Sequence, residues 1–539
     1  MNNRQFLITA MFFLLVITGY NQFVALPRAR AAQQAAEAEL KKQEALQKQT
    51  ATSLVNTDGT DLSQLTPAAP KPEELFTLDL PQADVSFSSK GAGIKTFLFK
   101  DILGPVDLTP YQGEGFFATL PQVDFTQTSR TGDAISFAGE IVPGVSVEKT
   151  YQREDDGLYR LSVTFHNRTA GNIKLADWQF NFGPGLATVK SELKDNERES
   201  KAVYLVQEQG KKNPTLETFT KDEKQPQLPW KWAGLENRYF LAVLVPQNWT
   251  PGKLSTEKVV IGTQKTLWTR LGLSSGEFKG PRLQITVPGE TLAAGASKTY
   301  DSKFYFGPKD YQLFQTPEYA SFHFERSIAF GFFGALGKIA RNVLELFYKW
   351  TGNYGVAIIM ITILLQLILC RFTIMQLKSA AQMKKIQPEV KRIQDKYKND
   401  SASLQRETLA LYQKYHVNPL MGCLPILIQL PIFLALFNAL RTSWALHGAK
   451  FVWWLTDLSA KDPYYILPIL MGGVMFLQQR GNIPAGTDPA QAAMFKYMPL
   501  IFTLLFMNFP SGLVLYWLTN ILLTYGVQTL VNKKLVNAQ

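Results

Sequence analysis

The sequence predicts a membrane α-helical bundle of six transmembrane helices, five of which form its core, with an all-β, sandwich-like periplasmic domain and a cytoplasmic helical hairpin. Three observations predict this fold class. Strongly apolar stretches concentrate in the last third of the 539 residues, a polar region of short alternating runs precedes them, and a basic segment separates two of the apolar stretches. The hydrophobic content of 46% hides this division, because the polar region dilutes the apolar stretches.

The beginning of the chain predicts a membrane anchor followed by a tether. An apolar run begins at Phe6, just after Arg4, and predicts an uncleaved signal-anchor helix over residues 1–26. Cleavage after Ala29-Arg30-Ala31 is the alternative, because the core of the run has the length of a signal peptide. Residues 27–75 are predicted to be a flexible linker, since a stretch rich in Ala, Gln, Lys, Glu and Pro cannot bury enough apolar surface to order itself.

Residues 76–325 carry the pattern of an all-β domain. Short alternating or β-branched runs, such as 135–142 and 239–245, are separated by Gly, Pro, Asn and Asp at intervals of roughly ten residues. The region contains no nucleophile elbow, phosphate loop or metal motif, so we expect no enzymatic activity and no cofactor. An enzyme acting on lipid or cell-wall material through a non-standard site in this domain is the alternative.

Residues 326–351 predict an amphipathic helix. Lys338, Arg341, Glu345 and Lys349 recur at spacings of three and four, and apolar side chains fill most of the remaining positions. We expect this helix to lie in the membrane interface, because the next residues enter a span. Packing of the helix on the β domain is the alternative.

Five further spans are predicted after this helix. They are TM2 (352–373), TM3 (419–440), TM4 (463–479), TM5 (495–509) and TM6 (510–532), joined by a cytoplasmic helical hairpin (374–418), a periplasmic loop (441–462) and a cytoplasmic loop (480–494), and followed by a cytoplasmic tail (533–539). TM5 and TM6 are separated at Phe509-Pro510-Ser511-Gly512, because proline and glycine favour a break in a run too long for one crossing.

The distribution of charge predicts the orientation of the chain. The segment from Arg371 to Lys414 carries ten basic and four acidic residues, and the whole chain has a formal net charge of +12. Short basic loops remain cytoplasmic, so both termini are predicted in the cytoplasm and the large domain in the periplasm of a multi-pass inner-membrane protein. Apolar residues at spacings of three and four, beginning with Ile386 and Val390, favour a packed hairpin over a solvated connector.

The predicted spans contain neutral polar side chains but no acidic ones. A proton- or sodium-coupled transporter usually needs carboxylates at membrane depth, so the absence of Asp and Glu from the span interiors disfavours the alternative of a channel or secondary transporter. The neutral polar groups are satisfied either by hydrogen bonds between helices or by water in a cavity of the bundle. The sequence leaves both arrangements open.

Four segments resemble one family of membrane proteins. They are residues 418–425 (NPLMGCLP), 429–436 (QLPIFLAL), 457–468 (DLSAKDPYYILP) and 509–517 (FPSGLVLYW), and they closely resemble the YidC branch of the YidC/Oxa membrane insertases, in its Gram-negative form with a large periplasmic domain. The resemblance is strong over residues 352–531.

The resemblance implies a membrane protein insertase and chaperone that uses no ATP. It implies five core spans around a hydrophilic groove that opens to the cytoplasm and to lipid, and it implies insertion of small membrane proteins alone or with the Sec translocon. The implied partners are nascent membrane proteins, the ribosome, Sec subunits and the lipid bilayer, with no specific nucleic acid. The hairpin would meet incoming chains or the ribosome.

The resemblance also supplies candidate groove residues. The family carries an arginine in the groove on the second span, and ungapped alignment places Gln366 there, while Arg371 lies about 140° around the helix from it. We therefore expect the groove to work by holding water rather than charge. The candidates for the groove and substrate path are Thr362, Gln366, Arg371, Gln429, Leu430, Phe433, Tyr516, Trp517 and Asn520.

Overall fold

The structure is a computed structural model that describes residues 72–537 apart from 112–114, 194, 208–209, 211–212, 220–228, 264–276, 398–399, 416–423 and 481–488. The predicted anchor at residues 1–26 and the linker as far as residue 71 lie outside the described residues. The chain divides into two compact units. Among the described residues, the β unit comprises 72–354 and Ile432–Ala460, and the helical unit comprises Gly355–Pro431 and 461–537.

The periplasmic-type region is built from antiparallel strands, as its alternating sequence predicts. In chain order, β1 to β18 are Leu75–Asp79, Ala83–Ser88, Ile94–Phe99, Val106–Asp107, Thr126–Arg130, Ala134–Val142, Val145–Asp155, Leu158–Asn167, Ile173–Lys174, Trp178–Phe182, Lys201–Val206, Thr215–Thr218, Trp230–Glu236, Phe240–Pro246, Leu254–Thr263, Glu277–Val287, Thr291–Leu292 and Ser297–Pro308.

Nine of these strands form one large sheet, in the order β12-β11-β13-β14-β18-β8-β7-β6-β5. Smaller sheets have the orders β1-β2-β3-β4, β10-β16-β15 and β17-β9. Strand β7 alternates buried and more exposed residues over most of its length, which is the pattern of a sheet with one face on a core. Strand β14 is buried at nearly every position, because apolar clusters cover both faces of the large sheet there.

The main core lies between the large sheet and the smaller ones. Phe97 of β3 stacks on Phe306 of β18 with ring centroids 4.2 Å apart, and Phe117 packs against Phe304 at 4.4 Å. Aromatic pairs of this kind contribute about 0.5–1.5 kcal/mol beyond the area they bury. The prediction of an all-β sandwich is thereby confirmed for this domain.

A lysine is completely buried within this core. The Nζ atom of Lys149, on β7, donates hydrogen bonds to the carbonyl oxygens of Gly91 (3.1 Å) and Phe117 (2.5 Å) and to Oγ1 of Thr119 (3.3 Å). Within the described part of the chain, no carboxylate lies at ion-pair distance from it. Burial lowers the pKa of the Lys149 ammonium well below its ordinary value.

The segment between the third and fourth predicted spans folds against the β domain. Its residues up to Ala460 belong to the β unit. Trp444 packs its ring against Phe99 at 6.0 Å and Phe240 at 5.2 Å, and Arg441 pairs with Glu199 at 2.7 Å. The sequence predicts only a periplasmic loop over residues 441–462, whereas the structure shows that this segment packs on the β domain.

The amphipathic helix α1 (Gly334–Thr351) turns part of its charged stripe inward. Arg341, whose side chain is 1% exposed, donates from Nε to Oε1 of Glu345 at 3.2 Å. Its Nη1 donates to the carbonyl oxygen of Ala439 at 3.4 Å, and its guanidinium lies over the ring of Tyr311. Tyr354 donates from its hydroxyl to the other oxygen of Glu345 at 2.9 Å.

The opposite face of α1 is apolar and exposed. It carries Phe332, just before the helix, and Ile339, Leu346 and Trp350, which recur at spacings of seven, seven and four. A helix that exposes its apolar stripe has the surface expected of a membrane-interface helix. The charged stripe of this helix therefore includes a buried ion pair, Arg341 with Glu345.

In the described part of the chain, six helices of 14 residues or more follow α1, and all but the second of them are apolar over much of their length. They are α2 (Tyr354–Lys396), α3 (Ser401–Lys414), α4 (Leu424–Arg441), α5 (Ile466–Arg480), α6 (Pro489–Phe506) and α7 (Ser511–Asn537). By length and composition, Tyr354–Met375 and Ser511–Val531 qualify to cross a membrane, and Gln429–Arg441, Ile466–Gln479 and Lys496–Phe506 are shorter apolar helices. The gap between α6 and α7 covers residues 507–510 and ends at Pro510, the proline noted in the sequence, whereas Gly512 lies in the first turn of α7.

Helix α2 is continuous across the predicted end of the second span at residue 373. Its 43 residues correspond to a length of about 65 Å, roughly twice the hydrocarbon thickness of a bilayer. Helix α3 follows after a turn and returns along it, since Tyr415 donates from its hydroxyl to Oε1 of Glu389 at 2.6 Å. Ile386 and Leu411 are buried in the seam between the two helices.

Candidate functional site

Helix α2 places two polar side chains one turn apart on the same face. Thr362 is buried and donates from Oγ1 to the carbonyl oxygen of Ile358, four residues earlier, at 2.6 Å. Gln366 is 8% exposed, and its Nε2 has no hydrogen-bond partner among the residues that the structure describes. Arg371 is exposed. Gln366, the position that the resemblance assigns to the groove, is therefore buried, whereas the nearby Arg371 is exposed.

A second pair of polar candidates is joined across helices. Gln429 near the start of α4 donates from Nε2 to the hydroxyl oxygen of Tyr516 on α7 at 3.0 Å. Tyr516 is 1% exposed and Gln429 is half-buried. This hydrogen bond links two segments 87 positions apart, and it satisfies part of the amide of Gln429 without water.

Most of the hydroxyl groups in the spans are satisfied within their own helices. Thr503, Thr519 and Thr524 each donate to the carbonyl oxygen four residues earlier, at 2.8 Å in every case. A threonine bonded in this way needs neither a neighbouring helix nor a water molecule for its proton. Gln366 differs from all of them, because its buried amide has a proton donor without a described acceptor.

The other candidates are three apolar residues and one asparagine. Leu430 follows Gln429 on α4 and is half exposed. Trp517 packs on α6 against Phe506, with ring centroids 5.5 Å apart, and Asn520 lies one turn further along α7, partly buried. Phe433 belongs to the β unit's part of α4, where its ring packs against Phe437 at 6.0 Å.

The structure adds residues that the sequence analysis did not select. Oε1 of Gln479, at the end of α5, is buried with no partner in the described part of the chain. Asp462 is 1% exposed and caps the start of α5 by accepting hydrogen bonds from the backbone N–H groups of Tyr464 at 3.0 Å and Leu467 at 2.7 Å. The available sequence signal for Gln479 and Asp462 was their position as polar residues at the two ends of an apolar run.

Replacing Tyr516 with Phe tests the pair formed with Gln429. The variant loses the acceptor for the amide proton, and measured hydrogen bonds between membrane helices average about 0.6 kcal/mol. We expect a small decrease in the unfolding free energy of the detergent-solubilised protein, near that value. Tyr525→Phe, on the same helix and partly exposed, serves as the control and should leave the stability unchanged. A decrease above about 2 kcal/mol would contradict this account.

Two family models match the chain and together cover most of it. The model described as "60Kd inner membrane protein" matches residues 346–538, and the model described as "YidC periplasmic domain" matches residues 118–340. The first match covers the helices from the end of α1 onward, and the second covers most of the β domain. They define an inner-membrane protein with a periplasmic domain.

Two relatives of this chain share the same description. "Membrane protein insertase YidC" of Endomicrobium trichonymphae is 36% identical over 471 residues, which is 86% of each chain. The protein of the same description from Syntrophus aciditrophicus is 32% identical over 495 residues, covering 86% of this chain and 85% of the other. The solved structure "Active YidC insertase crystal structure with the first transmembrane domain resolved" is 20% identical, covers 85% of this chain and 93% of its own, and has a TM-score of 0.38.

The chain belongs to the YidC family of membrane protein insertases. Its function is accordingly the insertion of proteins into the inner membrane, and the family is not one of enzymes. Its substrates are nascent membrane proteins, and the lipid bilayer is the medium in which it works.

Proposed function

We propose that the chain inserts and helps to fold membrane proteins through a hydrated groove that contains Gln366. The observation that carries this proposal is the buried Nε2 of Gln366, which has no partner among the described residues. A buried amide donor left without an acceptor costs about 1–3 kcal/mol, and ordered water is the usual partner of such a group. Gln366 lies in the middle of the apolar stretch Tyr354–Met375, so its water would lie at membrane depth.

Water at this depth lowers the cost of moving a polar segment into the bundle. Transfer of an unpaired amide or hydroxyl from water into an apolar medium costs several kcal/mol, so each such group gains from a wet surface. The groove consists of Thr362, Gln366, Gln429, Leu430, Tyr516, Trp517 and Asn520. The polar flank of a substrate passes along its wet part while the apolar segment moves past Leu430 into lipid. Arg371, which is exposed, contributes positive charge near the cytoplasmic end of the predicted second span rather than replacing Gln366.

The arrangement in the membrane follows the sequence prediction. The chain crosses the inner membrane six times, with both termini and the hairpin of α2 and α3 in the cytoplasm, and with the β domain in the periplasm. The basic surface of the hairpin receives incoming chains from the ribosome, and the protein works alone or beside the Sec translocon. The exposed lysine and arginine side chains of the hairpin support electrostatic contact with an anionic surface such as a ribosome.

Replacing Gln366 with Leu tests the wet groove. In cells depleted of their own insertase and rescued with the variant, we expect translocation of a long polar tail to slow by about tenfold, because roughly 1.4 kcal/mol of polar stabilisation is lost. A matched substrate with a short apolar tail should insert nearly normally. Gln366→Arg should retain activity, because an arginine also keeps water at this position.

Thr373→Val provides the control on the same helix. Thr373 donates to the carbonyl oxygen of Leu369 at 3.2 Å, so its loss removes a hydroxyl that needs no water. This variant should match the unsubstituted protein for both substrates. Full activity of Gln366→Leu on the long polar tail would reject the role of Gln366.

A further inference from the structure

The turn between β3 and β4 presents two apolar side chains at its tip. Ile102 is 78% exposed and Leu103 is 51% exposed. They are adjacent branched aliphatic residues, whereas the turn between β17 and β18 carries the small residues Ala293, Ala294 and Gly295. Exposed aliphatic side chains at the tip of an ordered turn are unfavourable in water and favour contact with an apolar phase.

The turn is held by a buried clamp. Oδ2 of Asp101 lies 2.9 Å from Nε2 of His447, and both side chains are only 3% exposed. The same oxygen accepts a hydrogen bond from the backbone N–H of Leu103 at 3.2 Å. Trp444 stacks on the His447 ring with centroids 4.7 Å apart. The clamp thus fixes the residue that immediately precedes the exposed pair.

The charge of Asp101 is stabilised by this contact. Burial acts to raise the pKa of its carboxyl, but the hydrogen bond and the charge of His447 lower that pKa below its ordinary value. On the other side of the imidazole, Asp457 and Ser459 lie 3.8 Å and 3.4 Å from Nδ1. His447 is therefore surrounded by acceptors from both the β domain and its own loop.

The clamp joins the turn to a segment that connects two apolar helices. The segment 442–460 follows α4 and precedes α5. Gly448 in this segment approaches the turn so closely that an added Cβ would meet the side chains of Ile102 and Leu103. The turn consequently lies against the part of the chain that emerges from the predicted third span.

Exposed tryptophans lie in the segment itself and on helix α1, which is linked to it. Trp453, within the segment, is 89% exposed. Asn353, at the end of α1, donates from Nδ2 to the carbonyl oxygen of Phe451 at 3.2 Å, which ties α1 and its exposed Trp350 to the segment. Tryptophan is favoured at the boundary between lipid headgroups and acyl chains, so two exposed tryptophans linked to this segment favour the bilayer as the phase that covers the turn.

We propose that the β3–β4 turn is a membrane anchor of the β domain, which inserts Ile102 and Leu103 into the periplasmic leaflet while the Asp101–His447 clamp holds the turn in position. The anchor is separate from the groove. Its partner is the headgroup and acyl boundary of the bilayer itself, and the exposed Lys450, two residues after Gly448, favours anionic headgroups.

The test uses the full chain in nanodiscs of phosphatidylethanolamine and phosphatidylglycerol, with one copy in each disc. Cys370 and Cys423, the two cysteines of the sequence, are replaced with Ser, and an environment-sensitive fluorophore is attached through Ile102→Cys. Lipids with a nitroxide near the headgroup end of the acyl chain should quench this probe at least twice as strongly as a probe attached through Ala294→Cys. Equal quenching at the two positions would overturn the proposal, because a second copy or another protein, and not lipid, would then have to cover the turn.

A clamp variant provides the second measurement. His447→Phe keeps an aromatic ring on Trp444 but removes the contact with Asp101. Lipid quenching at position 102 should fall by at least half in this variant, while the Ala294→Cys probe should not change. Unchanged quenching at position 102 would remove the clamp from the proposal, and the comparison of positions 102 and 294 tests the anchor whether or not the variant folds.

Discussion

Arg341→Met is expected to destabilise the β unit by about 3–5 kcal/mol. The substitution leaves Glu345 buried with its negative charge uncompensated, although Tyr354 still donates a hydrogen bond to it. Removing one partner of a buried ion pair typically has an effect of this size, because the remaining charge is desolvated without a counter-ion. Chemical unfolding of the purified protein in detergent, followed by tryptophan fluorescence, measures the change.

Two further variants separate the ion pair from simple loss of charge. Arg341→Met combined with Glu345→Leu removes both charges and should recover most of the lost stability, since a pair of apolar side chains often replaces a buried ion pair without loss. Lys349→Met removes an exposed charge from the same helix and should change the stability by less than about 0.5 kcal/mol. A double variant as unstable as Arg341→Met would show that packing, not charge, explains the effect.

Lys149→Met is expected to change the pH dependence of stability at alkaline pH. Burial lowers the pKa of Lys149 in the folded protein, whereas an unfolded lysine keeps a pKa near 10.4. Between those two values the unfolded state binds the extra proton, so the stability of the unsubstituted protein rises with pH. The rise contributed by Lys149 approaches about 1.4 kcal/mol per pH unit inside this window and ends above the unfolded pKa.

The measurement compares unfolding free energies of the two proteins from pH 7 to pH 10. The unsubstituted protein should gain stability over the variant as the pH rises, because the variant has no buried ammonium to neutralise. Lys298→Met removes a partly exposed ion pair of the same domain, and its unfolding free energy should change with pH in parallel with that of the unsubstituted protein. Parallel curves for Lys149→Met and the unsubstituted protein would contradict a depressed pKa.

The elements that the sequence predicted well are those with a local signal. Alternation of apolar and polar residues identified the β domain, and Pro510 with Gly512 marked the gap between α6 and α7. Sequence polarity ended the second span at residue 373, but α2 continues to Lys396 because the residues beyond that point remain good helix formers. Polarity locates a membrane boundary, whereas hydrogen bonding along the backbone determines where a helix ends.

The features that the sequence did not reveal depend on contacts between distant positions. Periodicity identified a charged stripe containing Arg341 but could not tell that this residue faces Ala439, 98 positions away. In the same way, His447 meets Asp101 across 346 positions. Among the groove candidates, the sequence proposed both Gln429 and Tyr516, but their hydrogen bond appeared only in the fold. For Gln366 the sequence left open whether its amide bonds to another helix or to water. Among the described residues, its Nε2 has no hydrogen-bond partner.

The uninterrupted course of α2 has a mechanical consequence. Gln366 and Glu389 lie on one helix, about 35 Å apart along its axis. Pro388 lies within this helix, next to Glu389, and removes one backbone hydrogen bond there, so a tilt imposed where Tyr415 holds Glu389 meets a point at which the helix bends more easily. A chain that displaces the hairpin would therefore bend α2 at Pro388 before it moves the part of the helix that carries Gln366.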